Sequence, residues 1–288
     1  MIGRLLPWSA GTAAWNMAVD EALLISYLQG VSPLTLRFYG WAPPALSLGY
    51  LQQPLSAARQ SRCQEAGVVW VKRPTGGRAV FHQHELTYAL VTGERHGFIG
   101  PVLADYQRIG LGFKRGFARL GLAVELAADT RRSRSPLSQA CFANSSWYEI
   151  TYQGRKLVGS AQLRRGKALL QHGSILLTFD PWFWQEVWAE GSTAAPGDSG
   201  DLQQAVIGLA EALNHPPERS VVISVLQQGL SEVLGVTWQE GVLSAEELAL
   251  ATRLQKEKYT NSDWNNRRGR NDGTLAGASG DMEEEASG

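Results

Sequence analysis

The stretch QACFANSSWYEITYQGRKLVGSAQLRRGKALLQHGSILL, residues 139–177, decides how the rest of the chain is read. Apolar and polar residues alternate in runs broken at Gln153-Gly154 and Arg165-Gly166. That period-2 pattern predicts consecutive antiparallel strands joined by short turns. Cys141 precedes the first strand and Lys156 stands early in the second, so the two could meet near one end of the meander. A thiol beside an ammonium is the smallest arrangement that yields a thiolate near neutral pH, which makes the pair a candidate nucleophile site.

With 288 residues the chain suits one large domain or two small ones, with ample apolar content for a packed core. Lysine plus arginine balance aspartate plus glutamate at 27 each, which gives no global attraction to nucleic acid or to a membrane surface. Cys63 and Cys141 are too few for a disulfide framework or a metal cluster, which fits a reducing cytoplasm. The first residues carry no basic segment followed by a long apolar core, and no apolar run approaches the roughly 18 residues of a membrane span. A soluble cytoplasmic protein is expected, with no metal, no nucleic-acid partner and no membrane partner.

Outward from the meander, a helix is predicted from Thr12 or Asn16 to Gly30, then strands in PLTLRFYGW (33–41) and ALSLGYLQ (45–52). A helix over 56–66 closes at Gly67, and the buried strand 68–71 leads into KRPTGGRAVFH (72–82). This segment and the following HELTYALV read as a hairpin with a backbone-accessible tip, because adjacent glycines permit positive φ. Arg73 and Arg78 flank the tip. It is either an ordinary Gly-Gly turn with solvated arginines or a cradle for a thioester carbonyl, a phosphate or the entrance of an acyl chain.

Residues 101–122 form the strongest helical pattern, with glycines at 110, 112 and 116 for close packing against a sheet. A basic loop with Arg131, Arg132 and Arg134 precedes Cys141. With Arg164, Arg165 and Lys167 it is either a solvated charge run or a flank that steers an acidic partner toward the site. A helix-like aromatic run (181–190), a flexible insert (191–201) and helices over 201–213 and 218–234 follow. Ser244 and Glu247 then form a capping box that opens a helix to about 259. Residues 266–288 form an acidic tail expected to be disordered, so the folded domain is placed at 1–265. This order of elements predicts an α+β fold, mixed α/β in composition, with a mixed or antiparallel central sheet flanked by helices.

Among single residues, Cys63 sits in a predicted helix with no partner signal and reads as structural or merely exposed. Lys156 is either a solvated strand lysine or the cation beside Cys141, able to carry the proton that the sulfur loses and regains. His172 reads as a satisfied structural histidine, whereas His82, after the Gly-Gly segment, could donate to a carbonyl oxygen.

Taken together, RPTGGRAVFH (73–82) with ELTY (85–88), CFANSSWYE (141–149), GRKLVGSAQ (154–162) and LQHGSIL (170–176) resemble the LipM-type octanoyltransferases, in the biotin/lipoate ligase catalytic superfamily. NMAVDEAL (16–23) and KYTNSDWN (258–265) extend the likeness over about residues 1–265. The resemblance implies transfer of octanoyl from octanoyl–acyl carrier protein to the lysine of a lipoyl domain, such as that of the glycine cleavage H protein. It makes Cys141 the acyl-thioester nucleophile and Lys156 the residue that lowers its pKa. Arg73, Gly76, Gly77, Arg78 and His82 would line an acyl pocket, faced by Gly159, Ser160, Ala161 and Gln162. Thioester exchange is near neutral in energy, so no cofactor is expected, and a monomer suffices. One departure stands out: Gln83-His84 follows His82 where relatives carry an acidic residue.

Three rivals share these residues. An ATP-dependent lipoate–protein ligase needs no cysteine, and many have a further C-terminal domain for which the residues past 265 are too few and too polar. An amidotransferase would move octanoyl between lipoyl domains through the same cysteine. A silent binding module for lipoylated proteins would form no adduct on Cys141.

Overall fold

In the computed structural model, which describes residues 1–98, 100–126, 149–188 and 199–267, the chain opens with strand β1 (Ile2–Gly11) and helix α1 (Ala13–Leu28). Then come β2 (Thr35–Trp41), β3 (Ala45–Leu48), α2 (Ala57–Glu65), β4 (Val69–Lys72), β5 (Val80–His82) and β6 (Glu85–Gly93). Helix α3 (Val102–Ala118), β7 (Glu125–Leu126), β8 (Ile150–Tyr152), β9 (Arg155–Arg165) and β10 (Ala168–Leu176) form the middle. The remainder is α4 (Pro181–Trp188), α5 (Ser199–Ala205), α6 (Leu209–Leu213), α7 (Arg219–Leu234), β11 (Thr237–Glu240), α8 (Ala245–Leu254) and α9 (Ser262–Asn265).

The expected meander is present as β8, β9 and β10, antiparallel throughout. Its turns fall where Gln153, Gly154 and Gly166 take positive φ. These strands continue a sheet of order β11-β1-β2-β6-β10-β9-β8-β7, in which β1 runs parallel to both β11 and β2 while the remaining pairs are antiparallel. The sheet is therefore mixed and flanked by helices, as the pattern predicts.

The segment expected as a hairpin folds differently. Both β4 and β5 pair with β3, one parallel and one antiparallel, so β3 separates them in a small sheet of order β4-β3-β5. All of Ala45–Leu48 is buried, which suits the centre of a sheet rather than an edge. The chain passes from the small sheet to the large one at Gln83-His84. Of the two glycines at the supposed tip, Gly77 alone takes a positive φ. The predicted helix 201–213 is broken as well: Val206 forms a parallel bridge with Lys156, and the Ile207 amide donates to the Lys156 carbonyl at 2.9 Å.

One face of the large sheet packs under α3 and α7. A Cβ at Gly112 would lie 2.7 Å from Leu230, and one at Gly116 would lie 2.8 Å from the Leu226 backbone. Gly112 and Gly116 thus serve the approach of α7, whereas Gly110 faces the sheet as expected, with a Cβ there 2.8 Å from Leu126 of β7; Phe113 and Phe117 reach the main core beside Leu226 and Leu230. The opposite face packs under α1 and α8, around Met17, Leu23, Leu24, Val91, Leu170 and Ala251. Thr12 caps α1 and Ser56 caps α2, each accepting a backbone N–H with its hydroxyl. Residues 266 and 267, assigned to the tail by sequence, still pack, since the Arg267 carbonyl accepts from Lys72 Nζ at 2.7 Å. Residues 268–288 lie outside the described residues. No helix among the described residues is long and apolar enough to cross a membrane.

Strand β1 is tied to α8 by an ion pair. Arg4 on β1 donates twice to Glu247 in α8, at 2.6 and 2.8 Å, and Ser32 also donates to that carboxylate. The expected capping box is present, with Glu247 returning a bond to the Ser244 amide at 2.8 Å. Burial pushes the Glu247 carboxyl up, but the bonds from Arg4 and Ser32 outweigh it and hold it below its ordinary 4.5. Its stabilising contribution is thus complete above pH 4.5 and is lost as pH falls through the lowered folded value. Glu247→Gln should cost about 3 kcal/mol in urea unfolding at pH 7, and the penalty should shrink toward pH 3. A penalty independent of pH would contradict this account.

Candidate active site

Strand register brings the site together on the α1 side of the large sheet. Gly159 pairs with Ser174, Ser174 with Thr87, and Thr87 with Tyr39, a row that crosses β9, β10, β6 and β2. The next row on this face is Ala161, His172, Ala89 and Arg37. Helix α1 covers part of this face, and the small sheet with its 73–78 loop roofs the rest. A cavity of about 200 Å³ lies between, bounded by Met17, Tyr39, Trp41, Arg73, His82 and His172 and floored by Gly159, Ser160, Ala161 and Gly173.

Its walls are polar residues whose polar atoms bind one another. Asp20 of α1 receives Arg37 at 2.9 Å, the Tyr39 hydroxyl at 2.9 Å and His172 Nδ1 at 2.8 Å. With Nδ1 donating, His172 Nε2 accepts from the Thr75 hydroxyl at 2.7 Å. Burial lowers the His172 pKa, and Asp20 offsets only part of that, so the ring is neutral at pH 7. Arg73 directs its guanidinium to the Ser47, Gly76 and Arg78 carbonyls at 2.7–3.0 Å, which folds the Gly-Gly segment over the cavity. The Ser47 hydroxyl meets His82 Nε2 at 2.8 Å, and His82 Nδ1 meets Glu85 at 2.5 Å. Thr87 and Ser174 also donate to Glu85, and Trp41 both donates to Thr87 and stacks on the His82 ring at 3.9 Å. The acidic partner expected directly after His82 is therefore supplied three residues on, by Glu85.

A β-bulge turns Lys156 toward the Gly159 wall of the cavity. Ile150 pairs with Val158 but Thr151 pairs with Lys156, so Leu157 has no counterpart on β8. In a regular strand Lys156 would share a face with Val158, which belongs to the main core. The bulge turns the lysine onto the Gly159 side instead: a Cβ on Gly159 would lie 2.9 Å from Lys156 Cε and 3.2 Å from Nζ. The buried ammonium is paired with buried Glu149 at 2.5 Å. Cys141, the proposed nucleophile, lies outside the described residues. Cys63 is buried in the small-sheet core, where desolvation pushes its thiol up to about 11, the range of an unreactive thiol.

Of the residues singled out by sequence, Arg73, Gly77, Arg78, His82, Gly159, Ser160 and Ala161 border the cavity. Gly76 contributes a carbonyl to Arg73, and Gln162 is bonded to Gln171 on the other face of the sheet. Arg164, Arg165 and Lys167 stand at the far end of β9, eight to eleven residues past Lys156 and so about 30 Å away along the strand and its turn. They pair with Asp105, Glu21 and Glu94 and do not flank the lysine. Sequence reasoning did not single out Asp20, Trp41, Glu85 or Glu149, although all but Trp41 lie inside the quoted motifs; His172 is the satisfied structural histidine expected, with both ring nitrogens bonded.

The chain matches the lipoyl protein ligase A/B catalytic domain family over residues 12–231. It belongs to that family. A protein named octanoyltransferase LipM from Kyrpidia tusciae is 39% identical over 276 residues, covering 92% of this chain and 98% of the relative. A protein of the same name from Moorella thermoacetica is 38% identical over 268 residues, with the same coverage of each chain. Among solved structures, a lipoate-protein ligase A bound with ATP superposes with a TM-score of 0.75 at 23% identity, covering 93% of this chain and 100% of its own. The bipartite lipoate protein ligase of Thermoplasma acidophilum gives 0.76 at 22%, covering 94% and 99%. These two fix the fold; the sequence relatives carry the family membership.

Two outcomes test this geometry. A Cβ at Gly173 would lie 2.4 Å from the Gly159 carbonyl and 2.8 Å from the Tyr88 ring, so Gly173→Ala should cost about 1–3 kcal/mol in thermal unfolding. Because the His172 pKa is lowered, its contribution is complete above pH 6.5 and is lost as pH falls below it. His172→Gln should flatten the stability curve between pH 7 and 5, and a curve as steep as that of the wild type would refute a neutral buried imidazole.

Proposed function

We propose that the protein is an octanoyltransferase that takes octanoyl from octanoyl–acyl carrier protein, holds it as a thioester on Cys141 and delivers it to the lysine of a lipoyl domain. The glycine cleavage H protein is the acceptor we put first. The observation that carries this reading is a cavity with side-chain-free wall positions at Gly159 and Gly173, beside which the bulge at Leu157 turns a buried lysine amine toward Gly159. The relatives from Kyrpidia and Moorella, similar over nearly their whole length, are named for octanoyl transfer. The Thermoplasma ligase was solved in a study that includes its E2 lipoyl domain, which supports a protein acceptor for this fold.

The chemistry asks little beyond what these residues supply. The Cys141 thiolate attacks the donor thioester carbonyl, the carrier's sulfur leaves, and the proton returns to that sulfur. The acceptor amine then attacks the acyl-enzyme, and the Cys141 thiolate leaves as the amide forms. Lys156 supplies positive charge for the thiolate in both halves. Exchange between thioesters is near neutral and aminolysis is downhill, so no ATP is consumed. Each methylene moved from water into the cavity contributes about 0.8 kcal/mol, so cavity depth can select chain length.

Intact mass spectrometry after mixing with octanoyl–carrier protein, without ATP, tests the reading. The wild type should gain one octanoyl group on Cys141, and Cys141→Ala should gain none and fail to modify a lipoyl domain. Protein that stays unmodified and acts only with ATP and free acid would instead be a ligase.

A further inference from the structure

The acceptor in this reaction is a lysine amine, and so is the group at the edge of the cavity. Lys156 Nζ passes over Gly159 within contact distance of where a side chain would begin, on the wall that the acyl group would occupy. Chemically it is the same nucleophile as the acceptor, held permanently in place. A thioester seated on that wall would have this amine within reach, and reacting groups held together in that way behave as if at about 10⁵–10⁸ M, far above any concentration an incoming lipoyl domain can reach. Attack by neutral Lys156 would form a C–N bond, break the C–S bond, release the sulfur as thiolate and pass the amine proton to it. The product would be an amide on the enzyme, a dead end.

What stands against that reaction is the pair with Glu149. Its carboxylate lies 2.5 Å from Nζ, and the two side chains are 3% and 4% exposed. An ammonium has no lone pair and cannot attack a carbonyl. In a buried site, losing a counter-charge shifts the balance toward the neutral, nucleophilic amine. Glu149 stands just before β8, next to the Ile150–Thr151 step that lies opposite the bulge, so charge and direction are set close together. Resting on the acyl-transfer reading above, we infer that Glu149 is a positioning residue that protects the acyl group from the enzyme's own lysine: it holds Lys156 as a cation, able to stabilise a thiolate yet unable to accept the octanoyl group.

The test mixes each protein with octanoyl–carrier protein, without acceptor, and treats the product with neutral hydroxylamine, which cleaves thioesters and leaves amides. The wild type should show a hydroxylamine-labile octanoyl adduct alone. Glu149→Gln should go on to a stoichiometric, hydroxylamine-resistant adduct that peptide mapping places on Lys156. With a lipoyl domain added, its turnover should begin and then stop as that adduct fills. Glu149→Asp, which keeps the charge, should restore labile-only behaviour, which a purely structural role for Glu149 would not require. Glu149→Met gives a second neutral side chain of similar length, and the double variant Glu149→Gln/Lys156→Met should lose the resistant adduct. A folded Glu149→Gln or Glu149→Met that carries only the labile adduct overturns the inference and leaves the proposed transferase intact. A wild type that acylates Lys156 as fast as its labile adduct forms overturns it equally, even if neither neutral variant folds. A wild type with no labile adduct removes the acyl-enzyme itself, and this inference with it.

Discussion

Asp20 and Glu85 are buried carboxylates, and a buried charge without partners costs several kcal/mol. Each therefore needs a full set of donors, and those donors sit on different elements. Asp20 on α1 draws on β2 through Arg37 and Tyr39 and on β10 through His172. Glu85 on β6 draws on the small sheet through His82 and on β10 through Ser174. Thr75 and Arg73 close the circuit, since His172 meets Thr75 and Arg73 meets both Thr75 and Ser47. The helix, the large sheet and the small sheet can satisfy all of these at once in a single mutual placement, and the cavity is the space that this placement leaves.

The same circuit explains how polar residues can border the cavity without turning their donors and acceptors into it. Donors and acceptors are turned toward one another, and ring faces and methylenes are left for the lumen. His82 shows the effect: both ring nitrogens are engaged, with Ser47 and Glu85, while one face lies flat on Trp41. A fully satisfied network of this kind stiffens a wall without offering a hydrogen bond to what lies inside. Lys156 and Glu149, around the bulge, pair with each other outside this network.

Much of the fold was legible because its signals are local. The meander, α1, α2, α7 and the capped start of α8 follow from periodicity, turn glycines and capping residues within a few positions. Strand β1 was missed because Pro7 interrupts its alternation, and its register with β2 slips between Leu6 and Ser9 at that point. Strand β11 is four residues long and mostly exposed, too short to show a pattern. The hairpin expected around RPTGGR failed because the strand between its arms, β3, comes from twenty residues earlier, and non-local pairing leaves no local trace. At the site, the motifs marked the residues around the cavity but not the wiring among them. GRKLVG reads as ordinary alternation, and only the pairing with β8 shows that Leu157 is surplus and that Lys156 changes face.

That change of face also accounts for the glycine three residues beyond the lysine. A long side chain entering a strand's surface from a bulge must cross the neighbouring position, and any Cβ at 159 would stand 2.9 Å from its path. Across the ladder, Gly173 leaves room for the Gly159 carbonyl, so β9 and β10 close up where the lysine passes. Burial is what strengthens the pairing of this ammonium, because attraction between charges grows as the local dielectric falls, and the Lys156 side chain is 4% exposed. The cost is that an unpaired ammonium in the same place would be unstable. A buried lysine beside the Gly159 wall therefore requires a carboxylate behind it, and Glu149 stands at the entry to the very strand whose mismatch creates the bulge.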